Sequence, residues 1–208
     1  MTKLKISIIA CLARNGAIGY NNKLLYHIPE DMRRFKQLTT GHTIVMGRNT
    51  YLSLPHGALP HRRNIVVSST FLHASTLAAT LDSTSPFITN GSSINKSLED
   101  GSMVCPSLTS ALDLCRQMQE EEIFVIGGSK LYQEALTWAD CLYLTIVDDT
   151  PQQADAYFPY DQEQVLNLAQ QGWVVENKPN LHTGDITYHF LTLRRKHKKN
   201  TPPSAKDV

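Results

Sequence analysis

The sequence predicts an α/β fold: a single domain with a central, mostly parallel sheet, helices on both faces and an antiparallel strand pair at the C-terminal end. Three observations carry that prediction. Short apolar runs alternate with helical patterns along most of the chain, the rhythm of parallel strands joined by crossover helices. The last runs instead alternate apolar with polar residues, as a half-solvated antiparallel pair does. The 208 residues, 41% apolar and 19% charged, suit one packed globular domain.

Composition also excludes several function classes. A formal net charge of +1 gives no electrostatic reason to expect a nucleic-acid partner. No apolar run approaches the ~18 residues of a membrane span, so no membrane association is expected. Lys3 and Lys5 ahead of ISIIACLA imitate a short secretion signal, but the turn Arg14-Asn15-Gly16 follows directly. Cysteines at 11, 105, 115 and 141 form neither a CxxC pair nor a ligand spacing with the eight histidines. A reduced, cytoplasmic protein with no metal site is the expectation.

In chain order, residues 6–13 read as a strand buried on both faces, because a continuous apolar run bounded by turn residues has no polar side to show to water. Asn15-Gly16 turns the chain. A helix then starts at Pro29, where a missing N–H costs nothing, with Glu30 and Asp31 in its positive first turn, and Thr39-Thr40-Gly41 ends it. Strands follow at His42–Met46 and Asn64–Ser69, a helix at Pro106–Met118, and further strands at Ile123–Ile126 and Cys141–Val147. Trp173–Lys178 and Asp185–Leu193 read as the antiparallel pair, with Ile186, Tyr188 and Phe190 alternating against Thr187 and His189. Residues 70–102, rich in Ser, Thr and Asn, show no sustained period and read as a long surface insertion. Residues 1–193 are thus one domain. The basic, then Pro/Ser-containing segment 194–208 is a tail expected to be disordered.

Two features suggest chemistry. On the helix from Pro29, helical spacing stacks Asp31, Phe35 and Leu38 on one face with Met32 beside them, while Arg33, Arg34 and Lys36 point elsewhere. Asp31 is then either a solvated first-turn acid that favours the helix dipole, or a carboxylate facing a pocket. In the second case it suits a flat ligand presenting two N–H donors side by side. The other feature is a repeated corner, strand, glycine, helix start, at Gly47-Arg48-Asn49-Thr50 and again at Gly127-Gly128-Ser129. Backbone N–H groups converge on such corners and favour anions, and two phosphate-sized corners in one domain suggest a dinucleotide. Each corner alone is also ordinary turn chemistry, and the GxGxxG fingerprint is absent.

The chain resembles the dihydrofolate reductase family in ISIIACLARNGAIG, in the helix with Asp31 and Phe35, and in IVMGRNTYLSL, LPHRRNIVVSS, IFVIGGSKLY, LYLTIVDD and DAYFP. These stretches fall in order along nearly the whole chain except 70–102 and the tail. The resemblance implies a fold of that family and an oxidoreductase that transfers hydride from NADPH to C6 of dihydrofolate, with N5 protonated in the same turnover. It makes Asp31 the active-site acid that grips the pterin, and Thr145 the residue that holds Asp31 from behind. Tyr26 takes the third catalytic position. Ile9, Cys11, Met32, Phe35 and Ile126 match the pocket wall, and Arg62 matches the arginine that pairs with the glutamate α-carboxylate. On the cofactor side the resemblance implies Ala10, Ile18 and Gly19, the run Gly47, Arg48, Asn49 and Thr50, and Ser68 with Ser69. It also implies Gly127, Gly128, Ser129, Lys130, Leu131 and Tyr132, with Arg48, Ser69 and Lys130 around a 2′-phosphate. A monomer that also binds antifolate inhibitors is expected.

The chain departs from the family at Leu25-Tyr26, where proline then tryptophan are usual, the tryptophan ordinarily ordering a water above the pterin. Two other readings stay open: an NADPH reductase of riboflavin-precursor or pterin substrates on the same fold, and a cofactor-binding protein without turnover. Arg62 favours a substrate with a glutamate tail over a ribityl phosphate.

Overall fold

A computed structural model describes residues 3–70, 88–90 and 93–196. Its centre is a parallel set formed by β1 (Lys5–Ala13), β4 (Thr43–Gly47), β5 (Arg63–Val67), β8 (Met103–Cys105), β9 (Glu122–Val125) and β10 (Cys141–Val147). These lie in the spatial order β10-β1-β9-β4-β5-β8, every neighbouring pair parallel. At one end β14 (Ile186–Arg195) is antiparallel to β10, and β12 (Trp173–Asn177) and β13 (Leu181–Thr183) are antiparallel to β14. The parallel strands are mostly apolar and buried, because both of their faces are covered.

Period-two alternation sorts the side chains. Ile8, Ala10 and Leu12 of β1 and Leu142, Leu144 and Ile146 of β10 enter a core beneath α3 (Leu108–Gln117) and α4 (Ser129–Ala135). The intervening Ile9, Cys11, Tyr143 and Val147 face the other way, into clusters that also hold Phe35, Leu38 and Ile28 from around α1 (Pro29–Thr39). Pro29 opens α1 as expected, and Gly41, at φ +83°, takes the left-handed conformation that ends it, its N–H donating to His61 O at 2.8 Å.

Three parts of the fold differ from the sequence reading. Within 70–102 the structure has β6 (Ile88–Asn90) and β7 (Ser93–Ser97), which extend the main sheet antiparallel beyond β8; residues 71–87 and 91–92 lie outside the described residues. Backbone pairing at a sheet edge makes no demand for the apolar face that sequence pattern detects. The end of the segment is also anchored, since Asp100 Oδ2 accepts from Tyr51 Oη at 2.8 Å and Ala58 N at 2.7 Å. At the C-terminus, β14 includes Arg194 and Arg195, assigned above to the tail; Arg195 donates to Ala139 O and Leu136 O. Residues 197–208 lie outside the described residues. Finally, a small antiparallel sheet, β11 (Ala156–Tyr157), β2 (Ala17–Tyr20) and β3 (Lys23–Leu24), forms where the apolar periodicity marks no strand.

Candidate active site

The register of β1 on β10 sets Cys11 beside Thr145, and α1 lays Asp31 over them. Thr145 Oγ1 donates to Asp31 Oδ1 at 2.5 Å. Asp31 is half-buried, and that burial is the largest influence on it, holding its carboxyl above the ordinary value of 3.8; the Thr145 bond and the Arg34 charge oppose the rise. The thiol and the phenol nearest it are driven neutral. Burial, then the Asp31 charge, pushes the Cys11 thiol well up, and the same two causes lead in raising the phenol of Tyr132, which donates to Ile9 O at 2.8 Å. The result is one carboxylate in a largely apolar wall, with the Arg34 cation nearby.

Arg34 does not point away as the helical pattern predicted. It is half-buried, with Nη1 donating to Leu144 O at 2.9 Å, Nη2 donating to Thr192 Oγ1 at 3.2 Å, and its guanidinium 4.5 Å from the centre of the Phe190 ring. A long side chain lies along apolar surface while its head finds acceptors, so an arginine at the margin of a helix face turns inward where a binary pattern sends it to water. Neighbouring residues of β10 therefore grip α1 twice, Thr145 at Asp31 and Leu144 at Arg34. Removing this cation raises the Asp31 carboxyl further. Arg34→Met is expected to move upward the break in a pH–activity profile that belongs to Asp31. An unshifted break would show that Arg34 does not act on Asp31.

A cleft of about 1030 Å³ runs beside this wall. It is lined by Ile18 and Gly19 from β2, by Gly47, Arg48, Asn49 and Thr50 at the start of α2 (Arg48–Ser53), and by Ser68 and Ser69 after β5. Gly127, Gly128 and Ser129 line its opposite side with Lys130, Leu131 and Tyr132 of α4. The two glycine corners touch, Gly47 N donating to Gly127 O at 2.7 Å. Cys11 and Ile126 also line the cleft and join it to the Asp31 side, since Cys11 feels the Asp31 charge and Ile126 packs in the cluster that holds Ile9 and Phe35.

Gly127 has little alternative. Its φ is +120°, and a Cβ there would lie 3.3 Å from both Thr50 Oγ1 and Tyr132 Oη, the latter already tied to Ile9. Gly127→Ala is expected to cost about 1–3 kcal/mol of stability and to weaken cofactor binding. A melting temperature and a cofactor titration both equal to the parent's would contradict this.

Several predicted residues lie elsewhere. Ala10 turns its side chain into the core on the far face, because its neighbours Ile9 and Cys11 occupy the near one. Met32 is 40% exposed on the outer flank of α1. Arg62 lies outside the cleft, braced by Nε to Pro60 O at 3.0 Å and Nη1 to Thr39 Oγ1 at 3.1 Å, with its guanidinium 5.8 Å from the Phe35 ring. Tyr26 is bonded not to the Asp31–Thr145 pair but to Asp149, at 2.8 Å. Sequence reasoning missed Arg34 and missed Asp155, whose N–H donates to Gly19 O at 3.1 Å and whose Oδ2 accepts from Asn21 N at 2.9 Å. Asn21 and Asn22, at φ +49° and +58°, form the two-residue turn between β2 and β3; Asn-Asn between Tyr20 and Lys23 was a readable hairpin signal. Among the described residues no cluster of His, Cys, Asp and Glu could hold a metal ion, and no helix is long and apolar enough to cross a membrane.

Fold and cleft together define the class, a single α/β domain whose mostly parallel sheet carries a cleft of about 1030 Å³ lined by two glycine corners. A family model described as dihydrofolate reductase matches residues 5–91 and 87–195. The chain belongs to the dihydrofolate reductase family. It is 36% identical over 191 residues to dihydrofolate reductase type 3 of Salmonella typhimurium, a match covering 91% of this chain and 98% of that protein. Similarity to dihydrofolate reductase of Bacillus subtilis (strain 168) is 34% over 193 residues, 92% of this chain and 95% of the relative. Dihydrofolate reductase of Buchnera aphidicola subsp. Acyrthosiphon pisum (strain APS) is 36% identical over 156 residues, 75% and 80% of the two chains.

Proposed function

We propose that the chain reduces 7,8-dihydrofolate to 5,6,7,8-tetrahydrofolate with NADPH, supplying one-carbon and thymidylate metabolism. The observation that carries this reading is Asp31, a half-buried carboxylate steadied by Thr145 beside a cleft large enough for a dinucleotide. Bound in the cleft, NADPH supplies the hydride. The chain's own residues do the rest. Asp31 accepts the two adjacent N–H donors of the pterin and, with a carboxyl poised above the ordinary range, biases the heterocycle toward protonation at N5. Thr145 holds one Asp31 oxygen, fixing the plane in which the carboxylate accepts. Ile9, Cys11, Phe35 and Ile126 exclude water from one side of the pterin, which strengthens both interactions.

Arg62 takes the glutamate α-carboxylate, since its braced guanidinium is held for bidentate recognition. Arg48, Ser69 and Lys130 offer two cations and a hydroxyl to a 2′-phosphate, which fits NADPH rather than NADH. Diaminopyrimidine antifolates present the same pair of N–H donors to Asp31 and compete there. The four cysteines are free thiols, which suits a reducing, cytoplasmic compartment. The test is NADPH consumption, followed by absorbance, with dihydrofolate, with a dihydropterin lacking the glutamate, and with a ribosylaminouracil. Turnover is expected with dihydrofolate and much less with the truncated pterin. Turnover of the ribosylaminouracil alone, or of none, would overturn the reading.

A further inference from the structure

Tyr26 stands where the family has tryptophan, and the structure gives its hydroxyl a specific partner, Asp149 Oδ2 at 2.8 Å. Asp149 directly follows β10 and Asp148, and is itself well fixed. Its Oδ1 accepts from Thr150 N at 2.7 Å and its N–H donates to Val147 O at 2.9 Å. Its carbonyl accepts from Arg14 N at 3.0 Å. One residue thus holds both ends of the segment 14–26, whose middle, from Ile18 to Leu24, lines the cleft. The ring of Tyr26 packs in the cluster of Ile28, Val147 and Tyr188, against which Cys11 also lies.

We propose that Asp149 is a positioning residue, which by holding Tyr26 and Arg14 sets the segment 14–26 over the cofactor end of the cleft. The proposal rests on the reading of that cleft as a nicotinamide-cofactor site. The exposed Arg14–Asp148 ion pair contributes little to such a hold; the Tyr26 phenol, half-buried in its cluster, gives the exposed Asp149 carboxylate a directional, charge-assisted hydrogen bond. Burial, then Asp149 itself, keeps the Tyr26 phenol protonated and able to donate far above neutral pH. An indole N–H at position 26 would sit at a different reach, so this bond to Asp149 belongs to the phenol.

The test is direct fluorescence titration of NADPH, which needs no turnover, on the parent and on Asp149→Ala, Asp149→Asn, Tyr26→Phe and the Asp149→Ala/Tyr26→Phe double variant. Asp149→Ala and Tyr26→Phe are each expected to weaken NADPH by about two- to tenfold, less than the full worth of a charge-assisted hydrogen bond because the bond is exposed and reaches the cofactor only through the segment it holds. The double variant should be no weaker than the worse single variant. Asp149→Asn, which keeps an acceptor oxygen, should bind within about twofold of the parent, a rescue that a general loss of packing would not give. Additive losses, or parental binding by Asp149→Ala, would overturn the proposal. Failure of the parent to bind NADPH would instead overturn the cofactor reading on which it rests.

Discussion

Asp31→Asn is expected to lower kcat by roughly 10²–10⁴, the usual worth of a positioned acid–base group, with fold and NADPH binding retained. Asparagine preserves the shape and still accepts the Thr145 hydroxyl, but presents one acceptor and one donor face where the pterin needs two acceptors. The pH–activity break that belongs to Asp31 should vanish with it. Stability should move the other way. Burial raises the Asp31 carboxyl above 3.8, so the native chain holds more protons than the unfolded chain between the two values. Native stability therefore falls as pH rises through that window and stays lower above it. Asparagine does not titrate, so at neutral pH the variant should melt no lower than the parent, and the difference should shrink as pH drops below 3.8. A variant that kept parental turnover, or that melted well below the parent at neutral pH, would contradict this assignment.

Arg48→Ala is expected to weaken NADPH by roughly 10–10², the loss of one charge-assisted contact to a phosphate dianion, and to leave NADH nearly unchanged. Arg48 follows Gly47 at one glycine corner, Lys130 follows Gly128 and Ser129 at the other, and Ser69 lies just past β5; all three line one cleft. The NADPH preference of the parent should also narrow as salt rises from low to about 1 M, because exposed cations are screened over a few ångströms there. Equal dissociation constants for NADPH and NADH in the parent would contradict the charge argument.

The sheet was legible because parallel strands buried on both faces leave continuous apolar runs, and 6–13 and 141–147 are such runs. The glycine corner at 127 was legible for a related reason: only glycine tolerates φ +120° against Thr50 and Tyr132, so the need is written in residue identity. Asp31 was legible as a carboxylate among apolar neighbours, but its choice between solvent and pocket depended on Thr145, more than a hundred positions away and brought near only by the β1–β10 register. Arg34 failed for a different reason. Pattern assigns a charged residue to water, while its guanidinium turned inward to donate to Leu144 O and Thr192 Oγ1 and to pack over the Phe190 ring. Strands β6 and β7, and the links of Asp155 and Asp149 to the segment 14–26, are backbone or long-range side-chain bonds that carry no local periodicity.

Hydride transfer to C6 can be followed atom by atom. Incubating the parent enzyme with dihydrofolate and NADPH deuterated at the transferable C4 position, then recording the proton NMR spectrum of the product, reports where the label goes. One deuterium at C6 of tetrahydrofolate, with the N5 proton exchanging with solvent, is the predicted result. A solvent-derived hydrogen at C6, or label retained entirely on the nicotinamide, would contradict a direct reduction in this site.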